Sequence, residues 1–194
     1  MKETTAKKKF MWNMAGSLCN SLSSMLLLII VNRISGESRG GFFALAYSTA
    51  QLLFSVGGFE IRPVQSTDIK NKFTFNQYFT SRMLNCIIML ICMIGYIVVN
   101  GYTGVEALTV FWILGYRMVE AVADVYSGLF QQRERIDISG KEMLMRSGIS
   151  TITFTIILWL TDNLLYAAMT LTLTSLVIML FYDCLLYTSP SPRD

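Results

Sequence analysis

The sequence contains no histidine among its 194 residues. This absence excludes acid–base catalysis by imidazole and metal sites with histidine ligands. Three of the four cysteines, Cys19, Cys86 and Cys92, lie inside apolar stretches and lack the spacing of metal ligands, so we interpret them as packing residues. The sequence therefore predicts no resident metal and no cofactor.

Charge is also scarce, since charged residues make up 15% of the chain and hydrophobic residues 53%. Soluble domains are usually about 25% charged. The mean hydropathy of +0.49 is typical of an all-α polytopic membrane protein. The net charge of +3 is spread over several loops, and nucleic-acid binding would need one clustered basic face. We therefore expect the lipid bilayer, and no nucleic acid, as a partner.

Apolar runs predict six transmembrane helices, because about 20 helical residues cross a bilayer. The predicted spans are residues 10–31, 42–59, 83–99, 106–130, 143–160 and 164–182. The predicted connections are a glycine-containing loop at 32–41, a long polar stretch at 60–80, turns at 100–104 and 161–163, and a polar stretch at 131–142. The first run follows a basic start, as in a cleaved signal peptide, but it is long and no cleavage site follows it. We therefore predict that the first run is a membrane anchor that is not cleaved.

The basic residues divide unequally between the two sides of this six-span arrangement. If the amino terminus is cytoplasmic, the inside carries Lys2, Lys7, Lys8, Lys9, Arg62, Lys70, Lys72, Arg82, Arg133, Arg135, Lys141 and Arg146. The outside then carries only Arg33 and Arg39. This bias follows the positive-inside rule and predicts that both ends of the six-span segment are cytoplasmic.

The fourth predicted span, residues 106–130, carries three charges in its middle: Arg117, Glu120 and Asp124. Their spacing of i, i+3 and i+7 places them on one helical face. A charge that faces lipid at mid-membrane costs roughly 2.5 to 3.5 kcal/mol on insertion scales. We therefore expect these side chains to face a water-filled cavity or a partner within the bundle.

Polar residues also form one face on each of the first two spans. These residues are Asn13, Ser17, Asn20 and Ser24 on the first span, and Tyr47, Gln51 and Ser55 on the second. Small polar residues are common in helix–helix packing within membranes, and the same residues could line a hydrated cavity. The two interpretations are compatible, and we predict that Asn13, Asn20, Tyr47 and Gln51 contribute to the cavity.

The last eleven residues, CLLYTSPSPRD at 184–194, match codon for codon a translated transposase-type sequencing adaptor. We interpret this tail as an artefact, as one would a cloning scar. The expected domain organisation is an amino-terminal six-helix bundle at residues 1–183, truncated from a longer chain, followed by the adaptor-derived residues.

Motifs after the second and fourth spans resemble a known family. They read GGFEIRPVQSTD and YFTSR, then GLFQQRERID and RSGI. The motif positions are Arg62, Gln65, Asp68, Tyr78, Arg82, Glu120, Asp124, Gly128, Gln132, Arg133, Asp137 and Arg146. This pattern resembles the amino-terminal half of a bacterial polysaccharide flippase of the multidrug/oligosaccharidyl-lipid/polysaccharide exporter superfamily.

The resemblance implies a fold, a location and an activity. It implies two six-helix bundles around a central cavity, of which this chain supplies one, so its missing carboxy-terminal bundle is an expected partner. It implies that a non-enzymatic transporter in the bacterial plasma membrane moves undecaprenyl-diphosphate-linked oligosaccharide to the outer leaflet by alternating access. The product would serve cell-surface polysaccharide biosynthesis, such as O-antigen, capsule or exopolysaccharide.

Such a substrate gives the intramembrane charges specific roles. Arg117 could pair with the pyrophosphate, because guanidinium suits phosphate oxygens in bidentate geometry. Glu120 and Asp124 could bind Na⁺ or H⁺ and couple transport to an ion gradient. A simpler interpretation is an intrahelical Arg117–Glu120 pair that only makes the charge tolerable, with Asp124 in headgroup water.

The polar connections carry a second predicted group, the cytoplasmic loop motif. Its members are Arg62, Asp68, Arg82, Arg133 and Asp137. We interpret them as loop salt bridges and lipid-headgroup contacts, so that their motif resemblance reflects gating or fold.

Other functions stay open at this point. One is a cation-coupled multidrug exporter of the same superfamily, which would favour a smaller and more apolar cavity. Another is a membrane-embedded enzyme of glycan assembly, although the sequence has no histidine and no large outer loop with paired carboxylates for acid–base work. The intramembrane charges argue against a non-transporting scaffold.

Overall fold

The computed structural model describes the backbone of residues 2–58, 61–68 and 72–184. Side chains are described for residues 6–55, 61–68 and 72–182. Four predicted features therefore lie outside the described residues: the end of the second span at Phe59, the loop residue Lys70, the side chain of Lys2, and the adaptor-like stretch from residue 185 onward.

Every regular element in the described ranges is helical, as the composition predicts. The helices are α1 (Lys2–Gly58), α2 (Ile61–Thr67), α3 (Phe75–Val99), α4 (Gly104–Gln132), α5 (Ile136–Thr161) and α6 (Leu164–Met179), and α6 continues into a π-helical turn (Leu180–Cys184). Among the described residues, four helices have segments that are long and apolar enough to cross a membrane: α1, α3, α5, and α6 with the start of its π-helical turn. Helix α4, which holds the predicted fourth span and its three charges, is not among them. The chain is therefore an all-α protein of the polytopic membrane type.

Helix α1 is bent back on itself at Gly36, whose φ of 84° and ψ of 172° are not helical. Glycine adopts this conformation readily because it lacks a Cβ. The two arms of α1, residues 2–35 and 37–58, run antiparallel, since Gly40 packs directly against Asn32 and the Tyr47 hydroxyl donates to Ser24 Oγ at 2.9 Å. The predicted loop at 32–41 is therefore wrong: the break is a single glycine between helical residues.

Two helices begin earlier than the hydropathy predicts. Helix α3 begins at Phe75, although the predicted span begins at residue 83, and α5 begins at Ile136, although the predicted span begins at residue 143. The added turns carry polar and charged residues that pack inside the protein, including Arg82 of α3 and Glu142 of α5, which are 1% and 0% exposed. The placement of these two residues outside the predicted spans is therefore wrong, because the bundle supplies them with partners that a hydropathy window cannot see.

The two ends of the bundle are defined by contacts between connections. At one end, the Arg39 side chain donates to the carbonyl oxygen of Asp162 at 2.8 Å and pairs with its carboxylate at 3.1 Å, which joins the turn at Gly36 to the α5–α6 turn. At the other end, Lys9 Nζ donates to the carbonyl oxygen of Glu134 at 2.8 Å. We call these the Gly36 end and the α2 end.

Helices α1 and α5 form the most extensive helix–helix contact of the fold. They cross where Gly16 of α1 meets Gly140 of α5, and each glycine lies directly against backbone atoms of the other helix. Glycine is needed here because any side chain would hold the two backbones apart. Nearer the Gly36 end, Phe43 and Phe154 pack with ring centroids 5.7 Å apart in the main apolar core. This packing fixes α1 and α5 beside the charged helix α4.

Candidate functional site

The centre of α4 holds a buried ion pair between Arg117 and Glu120. Arg117 lies 13 residues from the start of the helix, or about 20 Å at 1.5 Å per residue, so it is near mid-length. Glu120 Oε1 also accepts a hydrogen bond from Asn20 Nδ2 at 2.9 Å. The Arg117 guanidinium lies over the Tyr47 ring, 4.4 Å from its centroid, in a cation–π contact. Both arms of α1 thus hold the charged face of α4.

A cavity of about 730 Å³ lies between the two arms of α1 and α4. Its lining residues are Asn20, Ser21, Ser24, Met25, Leu28, Tyr47, Ser48, Gln51, Leu52, Phe54, Arg117 and Glu120. Five of the seven residues predicted from the sequence for a cavity are in this lining. Ser21, Met25, Ser48 and Leu52 are exposed, so one side of the cavity is open.

The other two predicted residues, Asn13 and Asp124, do not line this cavity. The backbone nitrogen of Asn13 lies against Gly140, two helical turns nearer the α2 end than Asn20. Asp124 is seven residues beyond Arg117 on α4, about 10 Å along the axis, and faces a different cavity. Arg117, Glu120 and Asp124 follow one another along α4, but a helix of this length borders both cavities, and Asp124 lies at the smaller one.

The chemistry of the cavity wall is that of a site for polar and anionic groups. Arg117 uses Nη1 for its ion pair, and its Nε and Nη2 have no hydrogen-bond partner among the described residues. Asn20 Oδ1 is likewise buried without a partner there. Buried polar groups are costly unless they are hydrogen-bonded, so these atoms favour a polar ligand or water in the cavity.

Asp124 is shared by two arginines from different helices. Arg62 of α2 pairs with Oδ1 at 3.3 Å, and Arg82 of α3 pairs with Oδ2 at 2.9 Å. The Arg82 side chain is only 2% exposed, while the Asp124 side chain is 21% exposed. Arg62 and Arg82, predicted as loop or headgroup contacts, instead tie α2 and α3 to α4.

A smaller cavity of about 190 Å³ lies beside this ion cluster. Its lining residues are Asn20, Phe54, Arg62, Glu120, Asp124, Ser127, Met143 and Arg146. Asn20, Phe54 and Glu120 line both cavities, so the two are neighbours. The Asn20–Glu120 hydrogen bond therefore stands between them.

Sequence reasoning missed the Glu142–Arg146 pair of α5 as part of the site. Arg146 Nε donates to Glu142 Oε1 at 2.6 Å, and the two side chains are 3% and 1% exposed. Their i, i+4 spacing is a signal for such a pair. The spacing alone does not reveal that both side chains are buried beside the small cavity.

The remaining motif residues gather where α2 contacts the last turns of α4. The Gln65 side chain is fully buried and packs against Gly128, where a Cβ would overlap it. Asp68 accepts hydrogen bonds from the Lys72 and Phe73 backbone N–H groups at 2.9 and 3.0 Å. Tyr78 Oη donates to the same carboxylate at 3.1 Å. The motif that carries the family resemblance is therefore largely a local structure that fixes α2 and its connection to α3.

Two members of the predicted loop motif, Arg133 and Asp137, take no part in this contact between α2 and α4. Arg133 is exposed, and Asp137 pairs with Arg135 at 3.4 Å. They fit the surface role predicted for the loop motif better than Arg62 and Arg82 do.

Replacing Asp68 with asparagine is expected to lower the melting temperature at pH 7. The Lys72 N–H, followed by that of Phe73, holds the pKa of Asp68 below its ordinary value of 3.8. The carboxylate therefore contributes stability above pH 3.8, and this contribution is lost as the pH falls through the lowered pKa. Thermal unfolding of the detergent-solubilised protein should show a difference at pH 7 that shrinks at about pH 3. Asp137→Asn is the control, and an equal difference at both pH values would contradict this role.

Apolar helices long enough to cross a bilayer, folded around a polar cavity at mid-length, define a polytopic helical membrane protein. The family model described as "Polysaccharide biosynthesis protein" matches residues 6–190. The chain belongs to this family, and the match confirms the resemblance found in the sequence. The matched range includes residues 184–190 of the adaptor-like tail. No curated protein and no solved structure gives a significant match.

Proposed function

We propose that this chain is the amino-terminal bundle of a flippase for undecaprenyl-diphosphate-linked oligosaccharide. The protein moves the polar headgroup from the cytoplasmic to the outer leaflet of the bacterial plasma membrane, for the biosynthesis of cell-surface polysaccharide. Family membership supports a role in polysaccharide biosynthesis, and the polar cavity supports transport as the step. The proposed role is transport, and we propose no catalytic activity for the chain.

The observation that carries this proposal is the position of Arg117. It is a buried guanidinium at mid-length of α4, on the wall of the large cavity, with two nitrogens unpartnered by the described residues. Guanidinium binds phosphate oxygens through paired, charge-assisted hydrogen bonds. A diphosphate that crosses the bilayer needs such a partner where water is excluded.

The rest of the wall suits the sugars of the substrate. Asn20, Ser21, Ser48 and Gln51 offer amide and hydroxyl groups that donate and accept hydrogen bonds. A polar headgroup can exchange its bonds with water for bonds with these residues. A drug exporter of the same superfamily would be expected to present a more apolar wall.

The open side of the cavity needs a cover within the membrane. We assign this role to a second six-helix bundle, encoded beyond residue 183 of the natural chain. In the proposed orientation, the amino terminus of the chain lies in the cytoplasm. Rocking of the two bundles would then expose the cavity to each side in turn. Resequencing the source DNA past codon 183 tests this point: a frame that continues through further apolar spans supports it, and an immediate stop codon contradicts it.

The carboxylates of α4 are the proposed coupling groups. Glu120 lies on both cavities and Asp124 on the smaller one, where H⁺ or Na⁺ could reach them. Each is paired with arginine, so the binding of a cation would loosen an ion pair that holds helices together. Intramembrane carboxylates serve in this way in other transporters.

The test of this function is complementation of a flippase-deficient strain with the full-length gene. The wild type should restore surface polysaccharide, and Arg117→Ala should abolish it while membrane levels stay normal. Because Arg117→Ala leaves Glu120 without its counter-ion, Arg117→Lys is a second variant that keeps the charge and loses the bidentate geometry. Arg135→Ala, at an exposed arginine, is the control.

Two results would overturn the proposal. Normal polysaccharide in both Arg117 variants would remove this residue from the mechanism. Dye efflux by the full-length protein without any effect on polysaccharide would favour the drug exporter.

A further inference from the structure

Charged side chains from four helices cluster around α4. Among the described residues, Arg82, Arg117, Glu120, Glu142 and Arg146 are buried, while the Arg62 and Asp124 side chains are 25% and 21% exposed. Each carboxylate is already paired, whereas the three buried arginines each keep at least one nitrogen without a hydrogen-bond partner in the described part of the chain. Buried donors without partners are costly, so the cluster favours an added acceptor such as an anion.

Arg146 is the member of this cluster with a free donor on the small cavity. Its Nε is used by Glu142, and its Nη1 has no hydrogen-bond partner in the part of the chain that the structure describes. The residue is 2% exposed and lines the small cavity together with Arg62. A buried, fixed guanidinium with an unused N–H is a built anion site, unlike a mobile arginine at the surface.

The arginines of this cluster follow one another from the α2 end to the middle of the bundle. Arg62 and Arg146 line the small cavity, and Arg117 lines the large one. The two cavities meet at Asn20 and Glu120, which line both. A phosphate group that leaves Arg146 thus needs to pass one hydrogen bond, from Asn20 to Glu120, before it reaches Arg117.

We infer that Arg146, with Arg62, forms a second anion-binding position, which receives the phosphate groups of the substrate at the α2 end before Arg117 binds them. This inference rests on the proposed function and adds to it a residue of α5 and an order of binding. The small cavity, at about 190 Å³, is roughly a quarter of the volume of the large one, at about 730 Å³, so it suits a phosphate group better than a sugar chain. The position therefore selects the phosphate part of the substrate.

The alternative is that Glu142 and Arg146 are a structural pair with no ligand. Variants that keep the net charge separate these possibilities. Glu142→Gln with Arg146→Gln removes the second position, and Arg117→Gln with Glu120→Gln removes the first. Each double variant changes the net charge by zero and leaves no member of its pair buried as a lone charge, so folding is protected.

The experiment is calorimetric titration of the full-length detergent-solubilised protein with inorganic pyrophosphate. Removal of the second position should weaken binding by ~10- to 100-fold, the range given by one hydrogen bond to a charged group. Removal of the first position should leave weaker binding that disappears when all four substitutions are combined. Thermal unfolding of each variant checks that the fold is kept.

The outcomes distinguish the inference from the proposed function. If the Glu142/Arg146 variant binds as the wild type does, or if the combined variant binds no more weakly than the Arg117/Glu120 variant, the second position is overturned and Arg117 stands. If the Arg117/Glu120 variant binds as the wild type does and restores polysaccharide, the proposed site itself is wrong. If the wild type binds no pyrophosphate, both are wrong.

Discussion

Replacing Asp124 with asparagine is expected to destabilise the protein by ~3–5 kcal/mol, the usual cost of breaking a buried ion pair. The asparagine side chain has nearly the same shape, so the loss comes from charge. Arg82 has only 2% of its side chain exposed and would keep an uncompensated positive charge inside the bundle. Denaturant titration and thermal unfolding of the detergent-solubilised protein measure this loss.

The ion pair at the Gly36 end of the bundle offers a matched control. Asp162→Asn makes the same change in a pair with Arg39 whose side chains are 62% and 51% exposed, so the loss should stay below about 1 kcal/mol. Adding Arg82→Gln to Asp124→Asn removes the stranded charge and should recover part of the stability. An Asp124 variant as stable as the Asp162 variant would show that the cluster does not hold the helices together.

Replacing Gly140 with alanine is expected to cost ~1–3 kcal/mol or more, as overpacking does, despite the better helix propensity of alanine. The added methyl group would overlap the Trp12 carbonyl oxygen and the Asn13 nitrogen, which are backbone atoms and cannot rotate away. Helices α1 and α5 would have to separate. The measurement is the amount of folded protein in the membrane together with its melting temperature.

Gly148→Ala is the control for this prediction, because Gly148 lies two turns further along α5 and also faces α1. A Cβ there would lie 3.7 Å from Cys19 Sγ, an ordinary contact, so the substitution should be neutral or stabilising. Gly16→Ala, on the opposite helix, should resemble Gly140→Ala. Equal effects of the Gly140 and Gly148 substitutions would contradict the close crossing.

Local patterns in the sequence predict the parts of the site that depend on one helix. The spacing of Arg117 and Glu120 on α4, and of Tyr47 and Gln51 on α1, predicts which side chains share a face, and the structure places all four on one cavity. The helical fold also follows from composition, since apolar runs of this length form helices in a bilayer.

What the sequence does not predict depends on which helices touch. Arg82 and Glu142 look like loop residues because a hydropathy window counts charge without its partner, and the partner of Arg82 is 42 residues away on α4. The helical hairpin around Gly36 is missed for a related reason. A stretch with three glycines and several charges is typical of a loop, but contact with Asp162 of the α5–α6 turn supports it here.

The bend at Gly36 also bears on how the protein is made. Both arms of α1 leave the ribosome before any residue of α4, so they can enter the membrane as a closed helical hairpin. Within that hairpin Tyr47 already has its partner in Ser24, whereas the partner of the Asn20 amide, Glu120, is synthesised 100 residues later. Two walls of the cavity are thus formed early in translation, and the charged wall is added only when α4 packs against both arms.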